Sequence, residues 1–282
     1  MSKSYRAWTG LGLGLAMIST GLGACGKAEA PAADAPEMAA EQPVAAPAAS
    51  SFQDAVDAVA AGGEGEGGIS LDQAATDPVI YGAALAVTEA HIIAARDAYA
   101  LGETEAAAEM FAHPVSEVLI ELEELFTARG VKLFDDLLLD ASQAAMSGES
   151  PEQISTRTDA IIAALRAAAT KAPESARSPV SIRAAVAADQ ADRAATMYRI
   201  AREAGTYEPY LDGYGFYKAG VALFQEREAE IASANPAGAV ALNEAFAELA
   251  KAYPSAGRQS ELNADLSALT VSASSAVLAN SH

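Results

Sequence analysis

The chain has 282 residues and a formal net charge of −20, from 18 Lys and Arg against 38 Asp and Glu. This charge excludes a nucleic-acid binder that works through a basic surface, and the single Cys excludes a disulfide scaffold and an all-Cys metal site. Hydrophobic residues make up 51% of the chain, too many for a wholly disordered protein. Because much of this fraction is Ala, the strongest helix former, the composition predicts a helix-rich protein of one or two domains.

The first 24 residues have the parts of a bacterial export signal. Lys3 and Arg6 supply a positive start, an apolar stretch follows over 11–22, and the segment ends in Leu22-Gly23-Ala24-Cys25. The apolar stretch is too short for a comfortable membrane span. The final four residues resemble the lipobox of bacterial lipoproteins, in which the Cys becomes the first mature residue and carries the acyl chains.

The lipobox resemblance implies that Cys25 is lipidated and holds the protein at the periplasmic side of the cell envelope. Gly26 follows in place of Asp, and by analogy with enterobacterial sorting this favours the outer membrane over the inner one. Removal of residues 1–24 would discard two of the 18 basic residues and none of the 38 acidic ones, giving a charge of −22. An ordinary secretory signal with an incidental Cys, or a weak membrane anchor, is the alternative.

Residues 26–50 are rich in Ala, Pro and Glu and contain almost no large apolar side chain. Proline interrupts helices, and such a composition cannot build a core. Together with Cys25, this segment is predicted to be a disordered tether between the membrane and a helical domain over 51–282.

Residues 51–282 are predicted to form helices separated by Pro and Gly, with no convincing alternating strand. The predicted helices cover 51–61, 78–101, 104–129 with an interruption at His113-Pro114, 131–146, 151–171, 179–204, 208–233, 236–252 and 257–279. Short connections predict an all-α, antiparallel up-down bundle of roughly seven to nine helices, with a core built mainly from Leu, Ile, Val and Ala. A break at 172–178 leaves open one continuous bundle or two sub-bundles, 51–171 and 179–282.

Two of the three His residues are equally far from a predicted turn at Gly102. His91 lies 11 residues before this glycine and His113 lies 11 residues after it, so in an antiparallel hairpin the two are level. Glu117 follows His113 by four residues and would share its helix face, and Glu121 lies one turn further on. Imidazole and carboxylate suit iron or zinc, so these four residues are the predicted metal site.

Three weaker candidates extend this site. Met110, one turn before His113, would favour copper, whereas Tyr210 and Asp212 would offer oxygen to a hard cation. These last two belong to an aromatic stretch, 207–217, which could instead seal the bundle at a helix start with Asp212 as the cap. The His pair likewise has a metal-free alternative as hydrogen-bonding or turn residues. Without a CxxCH motif any haem would be non-covalent, and haem is not the favoured cofactor.

Two family resemblances bear on this interpretation. The stretch 209–216 resembles the imelysin-like iron-uptake proteins and the helical periplasmic segments linked to bacterial iron permeases, through Tyr210, Asp212, Gly215 and Phe216. That family places a His and a Glu three residues apart, whereas His113 and Glu117 are four apart. The resemblance implies a periplasmic helical protein that handles iron. The segment 98–111 resembles one tetratricopeptide hairpin, but such arrays need about three repeats, which favours an ordinary αα-hairpin.

The motifs of common hydrolases are absent from the sequence, since neither GxSxG nor HExxH occurs. No carboxylate pair stands out from the acidic faces, and Glu89 is interpreted as a solvated charge. We therefore predict no enzyme activity. The favoured function is a lipid-anchored periplasmic protein that binds a transition-metal ion, iron, zinc or copper, for uptake or homeostasis with a metal transporter as partner. The alternative is a non-catalytic envelope lipoprotein that binds a partner protein through its helical hairpins.

Overall fold

The structure, a computed structural model, describes residues 70–282. These residues form helices joined by loops, with no strand among them. The predicted all-α bundle is confirmed there, whereas the predicted signal, tether with Cys25 and helix at 51–61 lie outside the described residues. Ten helices follow one another in this part: α1 (Leu71–Ala74), α2 (Pro78–Ala100), α3 (Thr104–Pro114, a π-helical turn at Val115–Leu119, then Ile120–Arg129), α4 (Asp135–Met146), α5 (Pro151–Ala169), α6 (Pro179–Ala204), α7 (Glu208–Glu226), α8 (Glu228–Ala234), α9 (Pro236–Ala252) and α10 (Leu266–Ala279).

Local capping chemistry sets the ends of these helices. Asp77 accepts a hydrogen bond from the Val79 amide at 2.7 Å, with Pro at the first helical position of α2. Ser150 and Gln153 form a reciprocal capping box at the start of α5. Gly102, after α2, adopts φ +86°, a left-handed conformation that glycine reaches without steric cost. Short-range sequence signals therefore place most of the helix boundaries.

Three predicted boundaries are wrong. The helix expected over 131–146 begins at Asp135. The helix expected over 208–233 is divided at Arg227, which separates α7 from α8. The last helix begins at Leu266 instead of 257, because Asp265 caps it by accepting hydrogen bonds from the amides of residues 267 and 268. The segment 253–265 is irregular, and its carbonyls at Ser255 and Ala256 accept hydrogen bonds from tyrosines of the α7 region.

Helix α2 is the centre of the bundle. It packs against α3, α5, α6 and α7, and α6 packs in turn against α7, α9 and α10. Among the described helices, α2 is long and apolar enough to span a bilayer by length and composition, but 83% of its most apolar window is buried within the fold. Its apolar character is therefore accounted for by its central position.

Tyrosine fills much of the remaining core. Tyr81, Tyr198, Tyr210 and Tyr253 are among the largest fully buried side chains. Each uses its hydroxyl in a hydrogen bond, for example Tyr253 to the Ala194 carbonyl at 2.8 Å, which removes the cost of burying it. The expectation of a core built mainly from Leu, Ile, Val and Ala therefore omitted its largest members.

Glu89 is a buried charge on α2. Both of its carboxylate oxygens accept hydrogen bonds from Arg166 of α5, at 2.7 and 2.8 Å. Burial raises the pKa of Glu89, and the Arg166 guanidinium opposes this shift. The interpretation of Glu89 as a solvated charge is wrong, because the close packing of α5 on α2 encloses it.

Candidate metal centre

Three helices bring two imidazoles and one carboxylate together inside the bundle. His91 of α2, His113 of α3 and Asp212 of α7 each offer a ligand atom, and these atoms all lie within 4.8 Å of one another. The two imidazole centroids are 6.1 Å apart, with the rings at 70°. Since two ligands of one ion, each about 2 Å from it, are at most about 4 Å apart, small side-chain rotations suffice to close the group around a metal.

The tautomer of His91 is fixed by the helix that carries it. Its Nδ1 lies 2.8 Å from the Val87 carbonyl oxygen, one turn earlier in α2. A carbonyl only accepts hydrogen bonds, so Nδ1 donates and a lone pair remains on Nε2. Burial lowers the pKa of His91 to about 4, an effect that the hydrogen bond to Val87 opposes and the nearby His113 reinforces. The buried imidazole is therefore neutral at pH 7 and suited to bind a metal.

Asp212 faces this lone pair. Its Oδ1 lies 3.5 Å from His91 Nε2, and both side chains are buried. In the described part of the chain, His91 Nε2 makes no hydrogen bond. A lone pair directed at a carboxylate oxygen in a dry site is stabilised by a positive charge between them, either a proton or a metal ion. Asp212 lies inside α7, which begins at Glu208, so its predicted role as a helix cap is wrong.

His113 is the exposed edge of the group. Its side chain is 21% exposed, and its Nε2 lies 3.7 Å from Oε1 of Glu208, at the start of α7, which is 59% exposed. The other nitrogen, Nδ1, is buried and makes no hydrogen bond to any described residue. His91 thus has one ring nitrogen in a hydrogen bond and the other without one, an arrangement typical of metal-binding histidines. His113 has an acidic side chain near one nitrogen and no hydrogen bond at the other.

The other predicted ligands occupy different positions. Glu117 lies in the π-helical turn at Val115–Leu119, and Glu121 is exposed beyond that turn. Met110 is buried, and the Tyr210 hydroxyl donates to the Ser255 carbonyl at 2.8 Å. Of the acidic residues among them, neither Glu117 nor Glu121 is in the three-residue group.

Sequence reasoning missed Glu208 altogether and ranked Asp212 below Glu117. The signal for Asp212 was present, since this acidic residue stands among two glycines and three aromatic residues at 210–216. A carboxylate in so apolar a stretch of helix indicates a buried partner. The partner itself, on α2, is not indicated by any local spacing.

Comparisons of the chain with protein-family models, with curated proteins and with solved structures returned no match.

Proposed function

We propose that this protein binds one transition-metal ion between α2, α3 and α7 and serves metal uptake or homeostasis. One observation carries the proposal: His91, His113 and Asp212 offer ligand atoms within 4.8 Å of one another, and His91 Nε2 and His113 Nδ1 are buried without a hydrogen bond. Asp212 completes the proposed ligand set, with its Oδ1 3.5 Å from His91 Nε2. Carboxylate also offsets the charge of the ion, which makes burial less costly.

The donor set selects among metals. Two imidazole nitrogens and one carboxylate oxygen suit iron or zinc, and without a thiolate or thioether they give little preference for copper(I). Glu208 supports His113 from the solvent side, as carboxylates commonly do for histidines that bind zinc. We propose iron or zinc as the bound ion, held at the periplasmic side of the envelope through lipidated Cys25 and delivered to a transporter.

Metal content tests this function directly. Residues 26–282 would be purified, loaded with Zn²⁺ or, without oxygen, with Fe²⁺, and analysed by mass spectrometry after desalting. One ion per chain is expected, and the His91→Ala/His113→Ala variant should retain less than a tenth of it. His282→Ala is the matched control, because this exposed terminal histidine lies outside the group.

Asp212→Asn tests the carboxylate with a side chain of the same shape. It should weaken binding at least tenfold while circular dichroism shows an unchanged helix content. Chains that bind no metal, or a double variant that binds as much as the unaltered protein, would refute the metal function.

An envelope protein partner is the second candidate, and one surface favours it. Ile120, Leu133 and Leu137 are exposed, and the first two line an apolar hollow of about 220 Å³ between α3 and α4. Photo-crosslinking in cells from position 120, with exposed Glu203 on α6 as the control position, tests this candidate. A product specific to position 120 supports it, and identical products from both positions contradict it.

A further inference from the structure

A groove separate from the metal centre runs along the opposite side of α2. It lies between the first half of α2, the end of α5, the start of α6 and the end of α7, and encloses about 550 Å³. Its floor is apolar and includes Tyr81, Leu85, Leu165, Ile182 and Val186. This volume and lining are those of a typical small-molecule site.

Four arginines surround the groove. Arg166 comes from α5, Arg177 from the α5–α6 connection, Arg183 from α6 and Arg227 from the junction of α7 and α8. Two acidic residues, Glu89 and Glu230, share the lining and Glu226 lies against Arg183, so four arginines and three glutamates give a formal charge of +1. The whole chain carries −20, which makes the groove an exception to the charge of the molecule. Arginine, with its planar fork, is the side chain best suited to carboxylate and phosphate groups.

Two of these arginines have partners that a ligand can replace. Arg183 pairs with Glu226 at 2.7 Å and Arg227 with Glu230 at 2.6 Å, and both glutamates are half-exposed. Ion pairs in contact with water contribute little to stability, so an incoming anion can displace either glutamate. Arg177 donates to main-chain oxygens of Asn280 and His282, and its Nε makes no hydrogen bond among the described residues.

Arg166 has a different role. It holds both carboxylate oxygens of buried Glu89, so this pair forms a fixed wall of the groove and is not available to a ligand. An apolar floor with one fixed ion pair and replaceable arginines at the rim fits a molecule that has an apolar body and one anionic group. A neutral apolar molecule would leave the arginines unused, and a small inorganic anion would leave the floor exposed.

We propose that this groove binds an anionic amphiphile, with its apolar chain on α2 and α6 and its carboxylate or phosphate group on Arg183 and Arg227. The groove shares no residue with the proposed metal group. A negative result for one of the two sites therefore leaves the other proposal unaffected.

Isothermal titration calorimetry tests the site. The protein used is residues 26–282, which is the predicted mature form without the acylated Cys25. The probe is decanoate below its micellar concentration, and decanol and inorganic phosphate are the comparison ligands. Saturable binding of one decanoate per chain is expected, with decanol and phosphate each at least tenfold weaker. Decyl phosphate used in place of decanoate identifies the preferred head group, and tighter binding of either anion is consistent with the site.

Variants distinguish binding in the groove from non-specific attraction between the anion and the arginines of the surface. Arg183→Gln/Arg227→Gln should weaken decanoate binding at least tenfold, whereas Arg199→Gln, which removes an exposed pair outside the groove, should leave it unchanged. Ala169→Trp, at an exposed position of the lining, should block the groove without disturbing the core.

Equal binding of decanol, no saturable binding, or an unaffected double arginine variant would overturn the proposal. A dimer that Ala169→Trp dissociates would assign the groove to a second copy of the chain and would overturn it too.

Discussion

At the scale of single residues, His91 and His113 each have a neighbour outside the proposed ligand set that contacts one nitrogen of the imidazole ring. The Val87 carbonyl fixes the proton on Nδ1 of His91, and Glu208 lies next to Nε2 of His113. The hydrogen bond to Val87 orients the His91 ring and leaves its Nε2 with a lone pair, and Glu208 places an acidic side chain beside His113. A buried imidazole that is neutral at pH 7 has a consequence for stability that can be measured without any metal.

The free energy of unfolding of the metal-free protein should decrease on acidification because of His91. Burial lowers the pKa of this residue from 6.5 to about 4 in the folded state. Between these values the unfolded chain binds a proton that the folded chain does not, so stability is lost as the pH falls from about 6.5 to about 4, by up to about 3 kcal/mol. Urea denaturation at pH 7.5 and pH 5 in the presence of EDTA measures the loss.

His91→Gln is the reference for this experiment, since it removes the titrating group and keeps a polar side chain. The difference in free energy of unfolding between the two pH values should be smaller in the variant. An equal difference in both proteins would mean that other groups cause the acid sensitivity.

The Glu89–Arg166 pair makes a second prediction at this scale. Arg166→Met leaves a buried carboxylate without its guanidinium, which should cost about 2–3 kcal/mol, below the usual cost for a buried pair because Arg166 is 42% exposed. Adding Glu89→Gln should restore most of that stability. Urea denaturation of both variants, beside Arg199→Met as a surface control, measures it. A double variant no more stable than Arg166→Met would contradict the assignment.

At the scale of elements, the approach of α7 to α2 determines whether a metal site can exist. Gly215 lies directly against Ala90, and a Cβ at this glycine would clash with the Ala90 carbonyl. Residues 212 and 215 share a face of α7, and residue 90 precedes His91 on α2. The missing side chain at 215 therefore allows the carboxylate at 212 to reach the imidazole at 91.

Gly215→Ala should affect stability and metal binding together. The clash is with backbone, which cannot rotate away, so a loss of about 1–3 kcal/mol in the free energy of unfolding is expected. The ligand atoms would also move apart, and zinc affinity should fall at least tenfold. Gly257→Ala is the matched control, because a Cβ there meets its neighbours at 3.4 Å, an ordinary contact. Unchanged affinity in Gly215→Ala would show that the helix separation does not set the site.

The sequence predicted the parts of this architecture that depend on short-range chemistry. Gly102 and the caps at Asp77 and Ser150 indicated helix ends, and equal spacing about Gly102 indicated that His91 and His113 are level. Asp212 could not be placed, because α7 follows α2 by more than 100 residues and no local rule states which helices become neighbours. The π turn after Pro114 could not be predicted from the sequence either, since it depends on how α3 packs.

At the scale of the whole molecule, acidic residues outnumber basic ones by 20. Most ion pairs in the described residues are at least partly exposed, so they compensate only a little of the repulsion among carboxylates. Repulsion among the carboxylates lowers the stability of the compact fold, and salt screens this repulsion.

The melting temperature should therefore rise when NaCl is increased from 10 to 150 mM at pH 7. The screening length falls from about 30 Å to about 8 Å over this range, which shortens the reach of the repulsion. Differential scanning calorimetry measures the rise, and at a pH of about 4, where many carboxylates are protonated, the rise should shrink. A melting temperature that falls with salt at pH 7 would show that attractive pairs dominate.

The three candidate ligands differ in burial, so a bound ion would be accessible to solvent from one side only. His91 and Asp212 are closed off by the bundle, and His113 alone borders solvent beside Glu208. An ion held by all three would be released in steps, first from His113 and last from the buried pair. The rate of transfer to another protein would then depend on how freely one side chain rotates. The bundle itself would not have to open, so an ion bound there would be transferred from the folded protein.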